Sequence, residues 1–373
     1  MVKKIAIITT HPIQYNAPLF SQLANDSAID LKVFYTWGES AMTAKYDPDF
    51  RRVVEWDIPL LNHYNFTFVK NTSSHPGSHH FRGIVNPTLN LEIQEWGADI
   101  IWVWGWSFYS HLKAMVFFKA KIPVWFRGDS TLLDEPIGIN LKKALRFLFL
   151  KWVFKHIDKA FYVGLNNKKY FIKFGVYENK LIYAPHAIDN VRFQENEASL
   201  CQLAKDWKKQ LGIDNDKKVI LFVGKFESKK NPFYFIDLLS ELSHFSYVGI
   251  MIGSGPLEEK LKKSATSNVY FLPFQNQSKM PVVYRLGDIL VLPSHGPGET
   301  WGLVMNEALA SGLQVYASEK CGGAIDLIDD YFIFNTNDSI KILVDKIIKN
   351  TSNYKNKNIG TYTNIVNAVK STL

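Results

Sequence analysis

Short apolar runs alternate with stretches of helical period along nearly the whole chain. In the first half this pattern predicts strands at 5–9, 31–35, 100–103, 124–126 and 159–163, and helices at 18–24, 112–120, 141–155 and 166–174. A second series starts at Val219, with strands at 219–223, 269–272, 288–292 and 314–318, and runs to about Ile348. Continuous apolar strands separated by amphipathic helices argue parallel sheets covered on both faces, so the expected class is α/β with doubly wound sheets. A length of 373 residues exceeds one ordinary core and suits two domains of roughly 150 to 200 residues.

The most informative stretch is Gly296 to Gly312, Gly-Pro-Gly-Glu-Thr-Trp-Gly-Leu-Val-Met-Asn-Glu-Ala-Leu-Ala-Ser-Gly. A strand ends just before it, a glycine-rich turn follows, and a helix stops at Gly312 before the next strand. Glu299 is then expected at the mouth of the helix, where unpaired N–H groups and the positive end of the dipole favour a pyrophosphate. At about 100° per residue, Trp301, Val304, Met305 and Ala308 share one apolar stripe, and Glu307 points roughly 120° from its centre. The expectation is a Glu307 outside the core. One carboxylate so placed accepts hydrogen bonds from sugar hydroxyls and the other, two turns along, from a ribose. A second loop, Val223-Gly224-Lys225-Phe226-Glu227-Ser228-Lys229-Lys230-Asn231-Pro232, joins a strand to a helix whose start is marked by Asn231-Pro232. Its lysines sit where open α/β sheets bind phosphate.

Taken together, these residues closely resemble the retaining glycosyltransferases of the GT-B fold, the group 1 family, whose signature is Glu, seven residues, Glu, with an aromatic-Gly-Leu run between. Here the run is Glu299-Thr300-Trp301-Gly302-Leu303 followed by Glu307-Ala308. The family's Gly-Arg-Leu with a lysine five residues after the arginine corresponds to Gly224-Lys225-Phe226 and Lys230. Lys225 replaces the arginine, keeping charge but losing the planar fork. Gly253-Ser254-Gly255 matches a third loop, and Phe274-Gln275-Asn276-Gln277 resembles the segment that reads the nucleobase. The resemblance implies two Rossmann-like domains facing a cleft, with boundaries at 1–188 and 189–357 and a tail helix, 358–373, crossing back to the first domain. It also implies catalytic roles for Glu299, Lys225 and Lys230, and donor contacts from Glu307, Trp301, Gly302, Leu303, Gly224, Gly253, Phe274 and Gln275. Where the family has Asn-Gly at the bridge between domains, this chain has His186-Ala187.

Composition narrows the partners. With 43 basic and 35 acidic side chains the net charge is +8, compatible with nucleic acid, an anionic membrane or phosphorylated substrates. No arginine-rich tract or zinc spacing supports nucleic acid. Cys201 and Cys321 cannot form a disulfide framework and lack metal spacing, so they read as packing residues in a reducing cytoplasm. The first apolar run is too short for a signal peptide, and no segment approaches the roughly 20 apolar residues of a membrane span. His75, His79 and His80 read as a mobile loop and Asp214-Asn215-Asp216 as a solvated turn, so no metal site is expected. Arg127-Gly128-Asp129 spells an adhesion tripeptide by chance.

On the acceptor side, loops at strand ends bring His11 and Gln14, Trp106, and Arg127 with Asp129. Arg127 is expected either to face the leaving phosphate or an acidic acceptor, or to pair with Asp129. The whole reading is sugar transfer from a nucleotide diphosphate sugar to a glycan or glycolipid hydroxyl, retaining, without cofactor, in bacterial surface polysaccharide or glycolipid synthesis. Two rivals stand beside it, a nucleotide-sugar epimerase and a non-catalytic sugar-nucleotide sensor. The helix at 141–155 raises a weak peripheral contact with the inner face of the cell membrane. Its cations divide between two sides, which favours a mostly buried helix with solvated ends.

Overall fold

The computed structural model describes residues 1–39, 45–47, 52–133, 135, 138, 140–349, 357 and 359–373. The chain divides into two compact units, one of Met1–Thr43, Pro59–His186 and Thr361–Leu373, the other of Ala44–Ile58 and Ala187–Gly360. The excursion of 44–58 into the second unit was not expected from the sequence.

In the first unit, seven parallel strands stand in the order β5-β2-β1-β6-β7-β8-β9. They are β1 (Lys3–Thr9), β2 (Ile29–Tyr35), β5 (Asn65–Phe68), β6 (Ile100–Trp104), β7 (Val124–Arg127), β8 (Lys159–Tyr162) and β9 (Leu181–Tyr183). Ile5, Ala6, Ile7 and Ile8 of β1 are all buried, the consequence of helices covering both faces of a parallel sheet. The second unit holds β10 (Lys218–Val223), β11 (Tyr247–Ile252), β12 (Val269–Leu272), β13 (Ile289–Leu292), β14 (Gln314–Ser318) and β15 (Ile333–Phe334) in the order β12-β11-β10-β13-β14-β15. A short antiparallel pair, β3 (Lys45–Asp47) with β4 (Arg52–Val54), also belongs to this unit. In each large sheet the strand order reverses once, between β1 and β6 and between β10 and β13. Such a reversal opens a crevice at the carboxyl ends of the strands.

The last helix, Tyr362–Lys370, is part of the first unit. Thr361 caps it through a box with Asn364, the Tyr362 hydroxyl donates to the Tyr15 carbonyl at 3.0 Å, and Lys370 pairs with Asp26 at 2.9 Å.

The helix Leu141–Phe154 differs from expectation. Leu150, Val153 and Phe154 are buried, but Leu141, Leu145, Leu148 and Trp152 are 75, 59, 62 and 45% exposed. The helix is therefore not mostly buried. Both of its sides are apolar, and only one has the sheet beneath it.

Candidate functional site

The crevice between β10 and β13 in the second unit is built by two loops. The one after β10 carries Gly224, Lys225 and Lys230, and the one after β13 carries Ser294 and Glu299. The His295 amide donates to the Lys229 carbonyl at 3.1 Å, tying them together. Across this contact Lys230 Nζ forms an ion pair with Glu299 Oε2, which also accepts from Ser294 Oγ at 2.9 Å. Both side chains are nearly enclosed, at 15 and 9% exposure, so the pair is screened far less than one in open solvent. Beyond Glu299 the amides of Gly322 and Gly323 donate to the carbonyls of Glu299 and Trp301 at 2.9 and 3.0 Å, fixing the loop from the other side.

Gly302 then takes φ +90°, a left-handed conformation that lets the chain turn into the helix Leu303–Ala310. By connectivity that helix starts at the crevice, offering first-turn amides there. Leu303 is its half-buried first residue. Trp301 is not at the surface: it is 4% exposed and its indole N–H donates to Asn306 Oδ1 at 2.7 Å.

Glu307 contradicts its expected position outside the core, since it is 2% exposed. The side of the helix that the sequence leaves polar is covered by the helices Asn190–Gln194 and Met280–Arg285, which no periodicity argument can foresee. A buried carboxylate needs a donor. The Tyr284 hydroxyl supplies one to Glu307 Oε2 at 2.6 Å.

Next to the lysine loop, β11 ends in Gly253-Ser254-Gly255. A Cβ on Gly253 would sit 2.0 Å from the Gly224 carbonyl oxygen, and one on Gly255 would sit 2.7 Å from the Phe226 amide nitrogen. The two loops are thus in backbone contact, closed by Phe226 N–H to the Ser254 carbonyl at 2.9 Å. At the end of β12, Phe274 and Gln275 are half-buried, and Gln275 Nε2 donates to the Pro273 carbonyl at 3.0 Å.

Three residues that sequence reasoning missed complete the crevice. Ser294 and Tyr284 hold the two carboxylates. Cys321, read as ordinary packing, is 1% exposed near Glu299, and burial, reinforced by that carboxylate, pushes its thiol up to about 12. It is no nucleophile at neutral pH. Serine at the end of an apolar strand and tyrosine in a buried helix carry no motif that could have marked them. A separate concavity of about 520 Å³ in this unit, lined by Tyr234, Glu319, Phe334 and Lys346 among others, contains none of the motif residues and no comparable buried ion pair.

In the first unit Arg127 is held by backbone carbonyls, with the charge of Asp129 acting on it. It is 4% exposed, its guanidinium donates to the carbonyls of Ala184 and Pro185 at 2.8 and 3.1 Å, and it lies over the Trp104 ring at 5.1 Å. Burial lowers its pKa to about 10, still leaving it charged. Asp129 also lies 3.9 Å from His186 Nε2. Burial, then the Arg127 charge, lowers the His186 pKa to about 4, so that ring is neutral near pH 7. His11 bonds Thr10 Oγ1 through Nδ1 at 2.9 Å and meets the Trp37 ring edge-on; Gln14 in the same loop is half-buried. Trp106 meets Phe149 edge-on at 5.6 Å. In the His75 to His80 loop, His80 Nε2 donates to the His75 carbonyl at 2.9 Å, and 214–216 is an exposed turn. Among the described residues no three His, Cys, Asp or Glu side chains converge as metal ligands.

Residues 204–364 match the family model of Glycosyl transferases group 1. D-inositol 3-phosphate glycosyltransferase of Segniliparus rotundus is 33% identical over 125 residues, 31% of this chain and 27% of that protein. The chain spans less than half the length of the curated relatives it matches, 39% or less for the first two. Among solved structures, Anabaena HepE in complex with UDP and glucose superposes with a TM-score of 0.67 at 16% identity, over 99% of this chain and 95% of that one. The UDP-GlcNAc 2-epimerase of Methanocaldococcus jannaschii does so at 0.61 and 13%, over 100% and 99%. Identities this low speak to architecture alone, and the architecture is GT-B.

Proposed function

Starting from a GT-B chain that carries a group 1 glycosyl transferase domain across residues 204–364, we propose that it transfers a sugar from a nucleotide diphosphate sugar to an acceptor hydroxyl. The observation that carries this is the enclosed Lys230–Glu299 pair, set with Ser294 at the β10/β13 crevice. A cation facing a carboxylate there matches a donor whose diphosphate and sugar lie side by side. Lys225, Lys230 and the first-turn amides of the helix Leu303–Ala310 stabilise the charge that develops on the leaving phosphate. Glu299 accepts from the sugar hydroxyls. Glu307, aligned by Tyr284, accepts from the ribose, and the segment at Phe274-Gln275 takes the base.

Our reading keeps retention at the anomeric carbon. The acceptor oxygen bonds that carbon on the face the phosphate leaves, the departing phosphate oxygen keeps the bonding electron pair, and it takes the acceptor proton. Metal is not required in this scheme. A glycan or glycolipid acceptor and a cytoplasmic site, in surface polysaccharide or glycolipid synthesis, complete the proposal. Among the described residues no helix is long and apolar enough to cross a membrane. Arg127 enters as a positioning residue, because its fork is engaged by backbone.

The fold shared with an epimerase keeps that second reading in view. Thermal stabilisation across a panel of nucleotide sugars identifies the donor, since a ligand bound only to the folded state raises apparent stability. Nucleotide diphosphate released only when an acceptor is supplied supports the transferase. Sugar interconversion without acceptor makes the protein an epimerase, and binding without turnover against every acceptor tried makes it a sensor.

A further inference from the structure

We propose that the outward face of the helix Leu141–Phe154 is an interfacial anchor that lays the first unit on an anionic lipid surface. At about 100° per residue, Leu141, Leu145, Leu148 and Trp152 fall within a sector of roughly 60°, directed away from the buried Leu150, Val153 and Phe154. Phe149, 41% exposed and stacked on Trp152 at 5.8 Å, widens the stripe. Four large apolar side chains in one row on a helix are too many for scattered surface residues.

The cations say what covers them. Lys142 borders the stripe on one side, Lys151 and Lys155 on the other, and all three are exposed; Arg146, also exposed, lies further round the helix. Between Glu135 and Asp158 the chain has five lysines and arginines and no acidic residue. The two bordering carboxylates are each engaged, Glu135 by Arg146 and Asp158 by Lys119. The packed neighbour, Leu165–Lys173, adds exposed Ile172, Lys169 and Lys173; its acidic neighbour Glu178 pairs with Lys168 at 3.2 Å. Cations split between two flanks scatter charge only if the apolar residues between them face inward. With those residues facing outward, the arrangement is apolar side into the acyl boundary and lysines reaching up to headgroup phosphates on both sides. Protein interfaces, by contrast, are depleted in lysine. Phe149 also touches Trp106, so the anchored face adjoins a loop that the proposed function gives to the acceptor.

Cosedimentation of the full chain with vesicles of phosphatidylglycerol and phosphatidylcholine, against phosphatidylcholine alone, tests the anchor. The expected result is binding to the anionic vesicles at low salt, weakened by high salt. Leu145→Glu with Leu148→Glu should lower the partition coefficient more than tenfold, and Lys142→Gln or Lys151→Gln roughly fivefold each. These positions are exposed, so circular dichroism should be unchanged. If the double glutamate variant loses its fold, the single glutamine variants and the salt dependence decide. Absence of binding to anionic vesicles at low salt overturns the anchor, as does binding that none of these substitutions alters. Self-association abolished by Leu148→Glu, with no vesicle binding, would assign the face to a second copy of the chain.

Discussion

Lys230 and Glu299, 69 residues apart in sequence, meet as an enclosed ion pair between the loops that follow β10 and β13. Removing one partner of such a pair strands the other, so single substitutions should read more strongly than the pair's net worth. Glu299→Gln keeps the shape and the Ser294 contact while lowering the charge against the sugar. Turnover should fall at least a hundredfold while affinity for nucleotide diphosphate, measured by calorimetry, stays within a few-fold. Activity within twofold of wild type would take Glu299 out of the site.

Lys225→Ala and Lys230→Ala should each slow the reaction through lost charge stabilisation, on the order of 2 to 4 kcal/mol if the phosphate is desolvated. Groups on one loop facing one phosphate act together, so the double variant should cost less than the sum. Wild-type activity should survive chelation. Its loss in EDTA, restored by a divalent ion, would refute the metal-free scheme.

In the proposed function Glu307, aligned by Tyr284, serves binding and not catalysis. A ribose contact is made equally in ground and transition states, so Glu307→Ala should weaken nucleotide binding and leave turnover at saturation little changed. It should also destabilise the fold by about 1 to 3 kcal/mol, because the Tyr284 hydroxyl loses its buried partner. Tyr284→Phe should show a smaller shift in the same two readouts. Unaltered nucleotide affinity in both would end the ribose assignment.

Acid should unfold the first unit through His111. Its Nδ1–H donates to the Gly105 carbonyl and Nε2 lies 2.8 Å from Thr36 Oγ1, and burial lowers its pKa from 6.5 to about 4. The unfolded chain therefore binds a proton that the folded chain refuses. Stability is whole above pH 6.5, falls as pH drops toward 4, and levels off below it, by roughly 3 kcal/mol from this residue at about 1.4 kcal/mol per pH unit. His186, lowered in the same direction, adds to the slope. Denaturant melts of wild type and His111→Gln between pH 7 and 4 should show a shallower loss in the variant; parallel curves would assign the acid sensitivity elsewhere.

How much of this was legible in sequence depends on how local each cause is. The strands β10 and β13 and the loops after them follow from short patterns, so the placement of Lys225, Lys230 and Glu299 on those loops could be read directly. Gly224 and Gly253 could be read as turn residues, although their backbone contact could not. The burial of Glu307 depends on two helices packing over it. Arg127 bonds carbonyls 57 and 58 residues away, which no local pattern encodes. The helix Leu141–Phe154 is apolar on two sides, and periodicity does not say which side meets the sheet. Because of that ambiguity its split cations pointed to burial, whereas the exposed stripe reverses their meaning. The excursion at 44–58 had no sequence pattern at all.

The helix Tyr362–Lys370 completes the first unit only after the chain has passed through all of the second. On the ribosome, the second unit can therefore close first, while the first waits with its Asp26 and Tyr15 partners unfilled. A chain stopped anywhere before residue 361 leaves that vacancy permanent. Fragments cut at the change of unit near 186 should be aggregation-prone as the amino-terminal piece, and a circular permutant that moves 361–373 ahead of residue 1 should fold its first unit without waiting.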